Sequence, residues 1–308
     1  MPGTDGETLM VDVLLGALAL GLLWSIMTLG VYISYRVLDM ADLTAEGSLT
    51  LGAAVAGSMI ANGANPLLAT VCAAGAGLIA GLCTGVLNTK LKIPALLSGI
   101  LTMIALWSVN LRVMGNRANV SILRLDTVYT WLQNLGLDKT WSMICVGAAC
   151  ALVVITVLYW FFGTELGAAI RATGNNEKMV RAQGINTDTM KILGLVISNG
   201  LIALSGALIA QSQSFADIQM GTGAIVIGLA SLIIGEVLFG NGGFYRRLVA
   251  IILGAVVYRV IIALVLKMGM PSNDLKLFTA ITVTVALSLP RFKGYLATLK
   301  RSVKGEAK

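Results

Sequence analysis

The sequence predicts an all-α, polytopic membrane protein, and three observations predict it. First, 57% of the 308 residues are apolar and 12% are charged, whereas a soluble domain carries about a quarter charged residues. Second, the apolar residues fall in runs long enough to cross a hydrocarbon core as helices. Third, one long polar interval with a helical pattern of its own, residues 163–191, divides these runs into two groups. Together they predict about nine membrane-crossing segments, two of them short or discontinuous.

The composition also excludes several classes of function. The chain has no histidine, which removes imidazole-based proton transfer and most zinc chemistry, and we predict no metal site. The formal net charge of +7 comes from basic residues spread over short loops and a tail, a distribution that concerns membrane orientation rather than nucleic acid. The cysteines lie within apolar runs without a CxxC pair, and we expect them to be small packing residues: Cys72, Cys83, Cys145 and Cys150.

The chain, a single transmembrane domain over residues 1–308, divides into two halves around the polar interval. The first half covers residues 12–112 and follows a polar start without Lys or Arg, which lacks the beginning of a secretory signal. A connecting span, 140–162, leads to the interval, and the second half, 192–290, precedes a basic tail at 291–308. In chain order the predicted spans are 13–35, 48–62, 67–89, 95–111, 140–162, 192–211, 222–240, 248–266 and 275–289.

The second of these runs, residues 48–62, is weakly apolar and short for an ordinary span. Short, interrupted helices are favoured where the backbone lines a cavity, because an amide exposed to lipid has no partner. This favours Asp42, Thr44 and Ser48 as residues of a solute path. The alternative is that Thr44, with Gly47 or Ser48, forms an ordinary helix N-cap, and the two interpretations are compatible.

The polar interval predicts two short helices joined by a turn. Its apolar residues recur at helical spacing, are interrupted at Gly174-Asn175-Asn176 and end at Gly184. The residues alone fit an amphipathic connector lying in the headgroup layer of a membrane. A sharper interpretation comes from the whole motif, LGAAIRATGNNEKMVRAQGINT, at residues 166–187.

This motif resembles the membrane subunits of ATP-binding cassette (ABC) importers in the ribose and branched-chain amino acid permease group, and especially a bacterial, amino-acid-type branch. The likeness covers roughly residues 12–292. In that family the interval is a cytoplasmic coupling helix that sits in a groove of the ATPase subunit, so we call residues 163–191 the coupling segment. The resemblance implies a set of ATPase-coupling residues: Gly167, Arg171, Ala172, Gly174, Asn175, Arg181 and Gly184.

The resemblance also implies partners. The chain contains no GxxxxGK[ST] phosphate loop, so we expect a non-catalytic subunit without a cofactor, with ATP and Mg²⁺ held by separate cytoplasmic ABC ATPase subunits. A second permease subunit is expected, and a homodimer is the simpler assumption. A solute-binding protein or lipoprotein should deliver the solute from the extracytoplasmic side.

The distribution of basic residues predicts the orientation in a bacterial plasma (inner) membrane. If the coupling segment is cytoplasmic, fifteen of the 22 Lys and Arg residues fall on the cytoplasmic side and six on the other, with Arg259 inside a span. Such a bias favours an external N-terminus and a cytoplasmic C-terminus.

A weak internal sequence repeat predicts two inverted halves. Ala41-Asp42, followed by a short apolar run, resembles Ala216-Asp217, and the motif at residues 90–94 resembles the one at 267–271. Five crossings separate the copies, and an odd number reverses their direction in the membrane. Transporters often carry such repeats, with the solute path at the repeat interface.

Polar residues within the spans of the second half are the remaining candidates for the solute path. Intramembrane polar groups are costly and usually face protein or a cavity, so their alternative role is interhelical hydrogen bonding. Glu236 and Arg259 are the two ionisable residues placed inside spans, whereas Asp217 lies in the turn after the span at 192–211. The different depths of Glu236 and Arg259 argue against a direct ion pair. The candidates in this half are Asn199, Ser205, Gln211, Asp217, Glu236 and Arg259.

The expected function is therefore an importer permease for a small organic solute, amino-acid-like before sugar or nucleoside, coupled to a separate ATPase. The substrate class follows from the resemblance alone. The alternative is a stand-alone transporter or facilitator driven by an ion gradient, which requires a carboxylate or histidine relay within the spans.

Overall fold

The computed structural model describes residues 4–240, 242–268, 277–281, 284 and 288. Part of the last predicted span, all of the basic tail and part of the 267–271 motif lie outside the described residues. The helices in the described part are α1 (Thr4–Tyr32), α2 (Thr44–Ala61), α3 (Pro66–Thr89), α4 (Ala95–Val113), α5 (Thr130–Gln133), α6 (Lys139–Gly163), α7 (Glu165–Asn175), α8 (Glu177–Ala182), α9 (Thr187–Gln213), α10 (Ala224–Phe239) and α11 (Phe244–Lys267).

Local chemistry explains where several of these helices begin and end. The Asn65 side chain accepts a hydrogen bond from Leu67 N at 2.9 Å, and Pro66 supplies the first residue of α3. The Asn186 side chain accepts from the amides of the first turn of α9. That helix ends at Gln213, because the next residue, Ser214, has a φ of 64° that stops helical propagation.

Helix α9 forms the centre of the fold, with α1, α2 and α3 packed around it. The Ser198 hydroxyl reaches the Gly30 carbonyl, and the Ser205 hydroxyl reaches the Leu23 carbonyl, so α1 runs antiparallel to α9. Ser48 of α2 lies beside Asn199, and α2 runs parallel to α9, since its Gly52 lies beside Ala203.

Glycine allows α3 to approach α9 closely. A Cβ atom at Gly81 would meet the backbone carbonyl of Leu195 directly, and Gly77 lies in the same way against Asn199 and Ala203. Small residues at four-residue spacing are a common way to bring two membrane helices into backbone contact. The contact fixes the position of Asn199 between α2 and α3.

Six helices in the described ranges are long and apolar enough to cross a membrane: α1 with its π-helical extension Ile33–Val37, α3, α4, α6, α9 and α11. The chain is thus mostly helical, as the sequence predicts. Helix α10 is a shorter apolar helix, and α2, with 18 residues, is largely buried within the protein.

Several predicted boundaries were wrong. Helix α1 begins at Thr4 rather than at residue 13, so the polar start is helical. The fold is not purely α, because β1 (Asn119–Ser121) pairs antiparallel with β2 (Phe215–Asp217). Helix α7 continues through Gly174 and Asn175 and breaks at Asn176 alone.

The cysteines also differ from their predicted role. All four are free thiols; Cys72, Cys83 and Cys145 are exposed on helix faces, and Cys150 is partly buried. Their apolar setting was predicted correctly, but three of the four do not pack in the core.

Candidate functional site

The coupling segment consists of two short helices, α7 and α8, each started by a side chain. Thr164 accepts from Gly167 N at 3.4 Å, and Asn176 accepts from Met179 N at 3.1 Å. Both residues have extended backbone conformations typical of N-caps. Asn176 ends α7 and starts α8, so a single residue makes the bend between them.

The predicted coupling residues Gly167, Arg171 and Gly174 contact the chain itself. The Arg171 guanidinium donates to the Phe162 carbonyl at 2.8 Å and lies 5.3 Å from the centre of the Phe244 ring. Gly167 packs on the backbone at Phe162. A Cβ at Gly174 would meet the Val37 carbonyl, at the end of α1. These residues hold α7 against the ends of α1, α6 and α11.

Arg181 joins α8 to the first turn of α9. Its guanidinium donates to Glu177 Oε1 at 3.1 Å, to Thr187 Oγ1 at 2.8 Å and to Asp188 Oδ1 at 3.1 Å. Lys191 Nζ completes the group by donating to Glu177 Oε2 at 2.7 Å. We call these five residues the α8–α9 clamp. Hydrogen bonding by Lys191 lowers the pKa of the Glu177 carboxyl, and the positive charges of Lys191 and Arg181 add to this.

The remaining surface of the coupling segment is open and mixed in character. Leu166 is 51% exposed and Met179 45% exposed, while Asn175 and Gly184 are exposed and Ala172 is partly buried. Gly184 has a φ of 84°, which glycine adopts without strain. Exposed apolar side chains surrounded by polar ones are typical of a protein contact surface.

A buried polar network lies at the centre of the helix bundle. Asp42 is 3% exposed, and its two carboxylate oxygens accept from Thr44 N at 2.9 Å and from Asn199 Nδ2 at 2.8 Å. Asn199 Oδ1 in turn accepts from the Ser48 hydroxyl at 2.7 Å. Four residues predicted for the solute path therefore meet, and they bond to one another: Asp42, Thr44, Ser48 and Asn199. Thr44 is the first residue of α2 and Leu43 precedes it without a side-chain cap bond, so the predicted Thr44 N-cap is wrong; the Asp42 carboxylate accepts from the first amide of the helix instead.

The network continues from Thr44 to two threonines that were not predicted, Thr84 and Thr102. The hydroxyls of Thr44 and Thr84 are 2.7 Å apart, and Thr84 donates to Thr102 at 3.0 Å. The network therefore links α2, α3, α4 and α9. Its members satisfy one another in the interior, where an unpaired polar group is costly.

Two further candidates on α9 also bond to neighbouring elements. Ser205 donates to the Leu23 carbonyl at 2.8 Å. Gln211 donates to the Thr70 hydroxyl at 2.8 Å and accepts from Val128 N at 3.0 Å. Both side chains are buried. Their bonds are those of the interhelical role that the sequence left open as the alternative.

The charged candidates occupy separate places. Glu236 Oε1 lies 3.4 Å from Arg36 Nε, near the coupling segment. Arg259 instead stacks over the Trp24 ring, 4.1 Å from its centre, so the two do not pair, as their depths predicted. Asp217 belongs to β2, where it accepts from Asn119 Nδ2 at 3.3 Å.

One cavity near the network was not predicted. It has a volume of about 420 Å³ and is lined by Glu46, Gly47, Thr50, Met103, Ile104, Trp107, Ser108, Asn110, Ile218 and Thr222. Glu46 lies in the first turn of α2, two residues before the predicted run 48–62, so its position among the helices was not predicted. The described residues contain no group of acidic or cysteine side chains arranged to hold a metal ion.

Comparison with known proteins identifies the family of the chain. The family model described as "Branched-chain amino acid transport system / permease component" matches residues 13–287. A tyrosine transport system permease protein of Clostridioides difficile is 43% identical over 87% of this chain and 88% of its own length. The ribose import permease protein of Escherichia coli is 26% identical over 70% of this chain and 66% of its own length.

A solved structure of PsaBC from Streptococcus pneumoniae, in complex with a Fab, covers 90% of each chain with 17% identity and a TM-score of 0.49. The sequence matches are the decisive ones, because the family model covers most of the chain. The chain belongs to the branched-chain amino acid transport system permease family of ABC transporters.

Proposed function

We propose that this permease imports an amino-acid-like solute through the membrane and that the coupling segment receives the motion of a separate ABC ATPase. The relative of Clostridioides difficile named as a tyrosine transport permease supports an amino acid as the solute. The α8–α9 clamp carries the mechanical part of the proposal, because it ties the open surface of the coupling segment to α9.

The mechanism starts at the exposed face of α7 and α8, which contacts the ATPase. ATP and Mg²⁺ bind to the ATPase, whose closure pulls on this face. The α8–α9 clamp passes the displacement to α9, and Gly174 passes it to the end of α1. Because α9 holds Asn199 against Asp42 and Ser48, its shift moves the helices around the central network. Packed helix contacts respond to such a shift as discrete rearrangements.

The partners follow from the same family. Two ATPase subunits drive two permease subunits, which we propose are identical, and an extracytoplasmic binding protein or lipoprotein supplies the solute. The N-terminus is external, and the C-terminus is cytoplasmic in a bacterial inner membrane. The positive-charge bias of the sequence supports this orientation.

Nine crossings in two inverted halves complete the proposed architecture. The two short helices support it: α2 runs away from the coupling segment, since it is parallel to α9, whereas α10 runs toward it. The direction of α10 follows from Glu236 near its end, which pairs with Arg36 beside the coupling segment. The positions of Asp42 before α2 and of Asp217 before α10 are consistent with the proposed repeat.

Reconstitution tests the proposed function. The permease is co-expressed with candidate ABC ATPase and solute-binding proteins from the same genome, and L-tyrosine uptake is measured in proteoliposomes with ATP inside or outside. We expect uptake that requires ATP on the coupling-segment side and persists when ionophores abolish ion gradients. Uptake that follows an imposed ion gradient without ATP would establish the stand-alone transporter instead.

A glycine pair tests the coupling role. Gly174→Ala places a methyl group against the Val37 carbonyl and should displace α7, lowering solute-stimulated ATPase activity and ATPase co-purification. Gly163→Ala is the matched control, since a Cβ there meets no atom within 4 Å. Equal activity of the two variants would contradict the proposed role of the contact between α7 and Val37.

A further inference from the structure

The cavity beside the central network opens along α4. Ile104 and Trp107, which line it, are 60% and 47% exposed, and α4 is the least buried of the six candidate spans. The walls join apolar side chains to polar ones that come from α2, α4 and the segment before α10. An apolar pocket with a few convergent polar groups is the usual form of a small-molecule site.

Glu46 brings a negative charge to this cavity. Its Oε1 accepts from Gly223 N at 3.0 Å, which fixes the carboxylate at the start of α10. Within the described residues, no Lys or Arg forms an ion pair with Glu46, whereas Glu236 has Arg36 and Glu177 has Lys191. A carboxylate among membrane helices is expensive without a counter-charge, so the cavity favours a cation.

Asn110 adds an unused acceptor to the same cavity. The residue is 1% exposed, and its Nδ2 donates to the Gly47 carbonyl at 3.2 Å. Its Oδ1 has no hydrogen-bond partner in the described part of the chain. Buried acceptors are nearly always paired, and an incoming N–H donor would satisfy this one.

We propose that this cavity binds the α-ammonium group of the transported amino acid. Glu46 supplies the counter-charge and Asn110 Oδ1 accepts an N–H bond. The Trp107 ring and the apolar wall contact the solute's side chain, as aromatic surfaces do with organic ligands. Because this rests on the proposed import of an amino acid, its test has to separate the cavity from the function as a whole.

The first experiment measures charge and occupancy in the cavity. Ser108→Cys is introduced into the full-length permease with the four native cysteines replaced by alanine, and its modification by cationic and anionic methanethiosulfonates is timed. We expect a preference for the cationic reagent that Glu46→Gln lowers about tenfold. The amide oxygen of glutamine retains the bond to Gly223 N. Ser121→Cys, in the exposed strand β1, is the control whose preference should not respond to Glu46→Gln.

Protection in the same assay identifies the chemical group that is recognised. L-Tyrosine and tyramine, which carry an ammonium group, should slow the modification of Ser108→Cys. 3-(4-Hydroxyphenyl)propionate, which lacks it, should not. The proposal is overturned if the propionate protects as well as L-tyrosine, or if Glu46→Gln leaves the protection intact.

The second experiment measures uptake by the complete importer in proteoliposomes. Glu46→Gln should lower L-tyrosine uptake about tenfold or more, the loss expected for one charge-assisted hydrogen bond. Asp126→Asn also replaces a carboxylate with an amide, but at an exposed loop residue, and it should leave uptake unchanged. If the unmodified importer takes up no L-tyrosine, the proposed function fails. If it transports and Glu46→Gln equals Asp126→Asn, the cavity assignment alone fails.

Discussion

At the residue scale, the polar side chains of α9 bond to their neighbours across helix boundaries. Ser198 and Ser205 donate to carbonyls of α1, while Ser212 donates to Ile209 of its own helix. All three are buried. They therefore offer a matched comparison of bonds between helices with a bond inside one helix.

Alanine replacement at these serines separates packing from solute contact. Ser198→Ala and Ser205→Ala should each destabilise the folded protein by about 0.6 kcal/mol, the average for a polar contact between membrane helices. Ser212→Ala should cost less, since it breaks no link to another helix. Unfolding in a membrane mimetic measures these free energies, with uptake measured in parallel. A loss of uptake without a loss of stability would instead place Ser205 in the solute path.

Two threonines in apolar helices, Thr84 and Thr156, have different environments that the sequence alone does not distinguish. The Thr84 hydroxyl shares a hydrogen bond with the Thr44 hydroxyl, and it also lies within hydrogen-bond distance of the Ala80 carbonyl in its own helix. Thr156 makes the same local bond to Leu152 and faces outward. Both lie in apolar runs with similar neighbours, so the sequence alone could not predict which threonine joins the network. Asp42 was predicted because it precedes a short apolar run, and short, interrupted helices are favoured where the backbone lines a cavity.

At the element scale, the close packing of α3 against α9 depends on glycine residues of α3. Gly75 and Gly81 lie on the same helix, but a Cβ at Gly75 meets no atom within 4 Å, whereas one at Gly81 meets the Leu195 backbone. Gly81→Ala should therefore destabilise the protein by about 1–3 kcal/mol through overpacking. Gly75→Ala should have little effect or stabilise slightly, because alanine is the better helix former.

Thermal unfolding of the purified permease in detergent measures both changes. Equal melting temperatures for Gly75→Ala and Gly81→Ala would show that α3 and α9 are not in backbone contact. The four-residue spacing of Gly77 and Gly81 is visible in the sequence. The helix that they contact is not, because a face of small residues does not specify which helix packs against it.

The α8–α9 clamp predicts a pH dependence for the coupling segment. The pKa of Glu177 is lower in the folded protein than in the unfolded chain, so the clamp is complete above the ordinary glutamate pKa and is lost as the pH falls through the folded value. Hydrogen exchange in α8 and the first turn of α9, corrected for its intrinsic pH dependence, should therefore rise below about pH 4.5.

Glu177→Gln should produce the same faster exchange at neutral pH, since it removes the charge that Arg181 and Lys191 share. Glu165→Gln is the control, because Glu165 also lies in the first turn of a coupling helix and forms no ion pair within the described residues. Faster exchange in both variants would show a general response to charge instead of a clamp.

At the scale of the whole molecule, the helical runs were predictable and their ends less so. Apolar length determines what crosses a membrane, and six such helices agree with the predicted runs. The start of α1 was missed because Asp5, Glu7 and Asp12 are polar, yet they precede a long apolar helix that propagates into them. The cavity was missed because its walls come from three separate parts of the chain.

The orientation of the molecule is the last prediction, and α6 makes it testable. This helix crosses between the loop that contains Leu135, 79% exposed, and the coupling segment, where Met179 is 45% exposed. In the cysteine-free background, a membrane-impermeant maleimide should label Leu135→Cys in intact cells and Met179→Cys only after the membrane is opened. A cytoplasmic ATPase can reach the coupling segment in this orientation alone. Labelling of Met179→Cys in intact cells would therefore place the coupling segment on the external side of the membrane. A cytoplasmic ATPase could then not contact it, and the proposed coupling of ATP hydrolysis to α9 would be wrong.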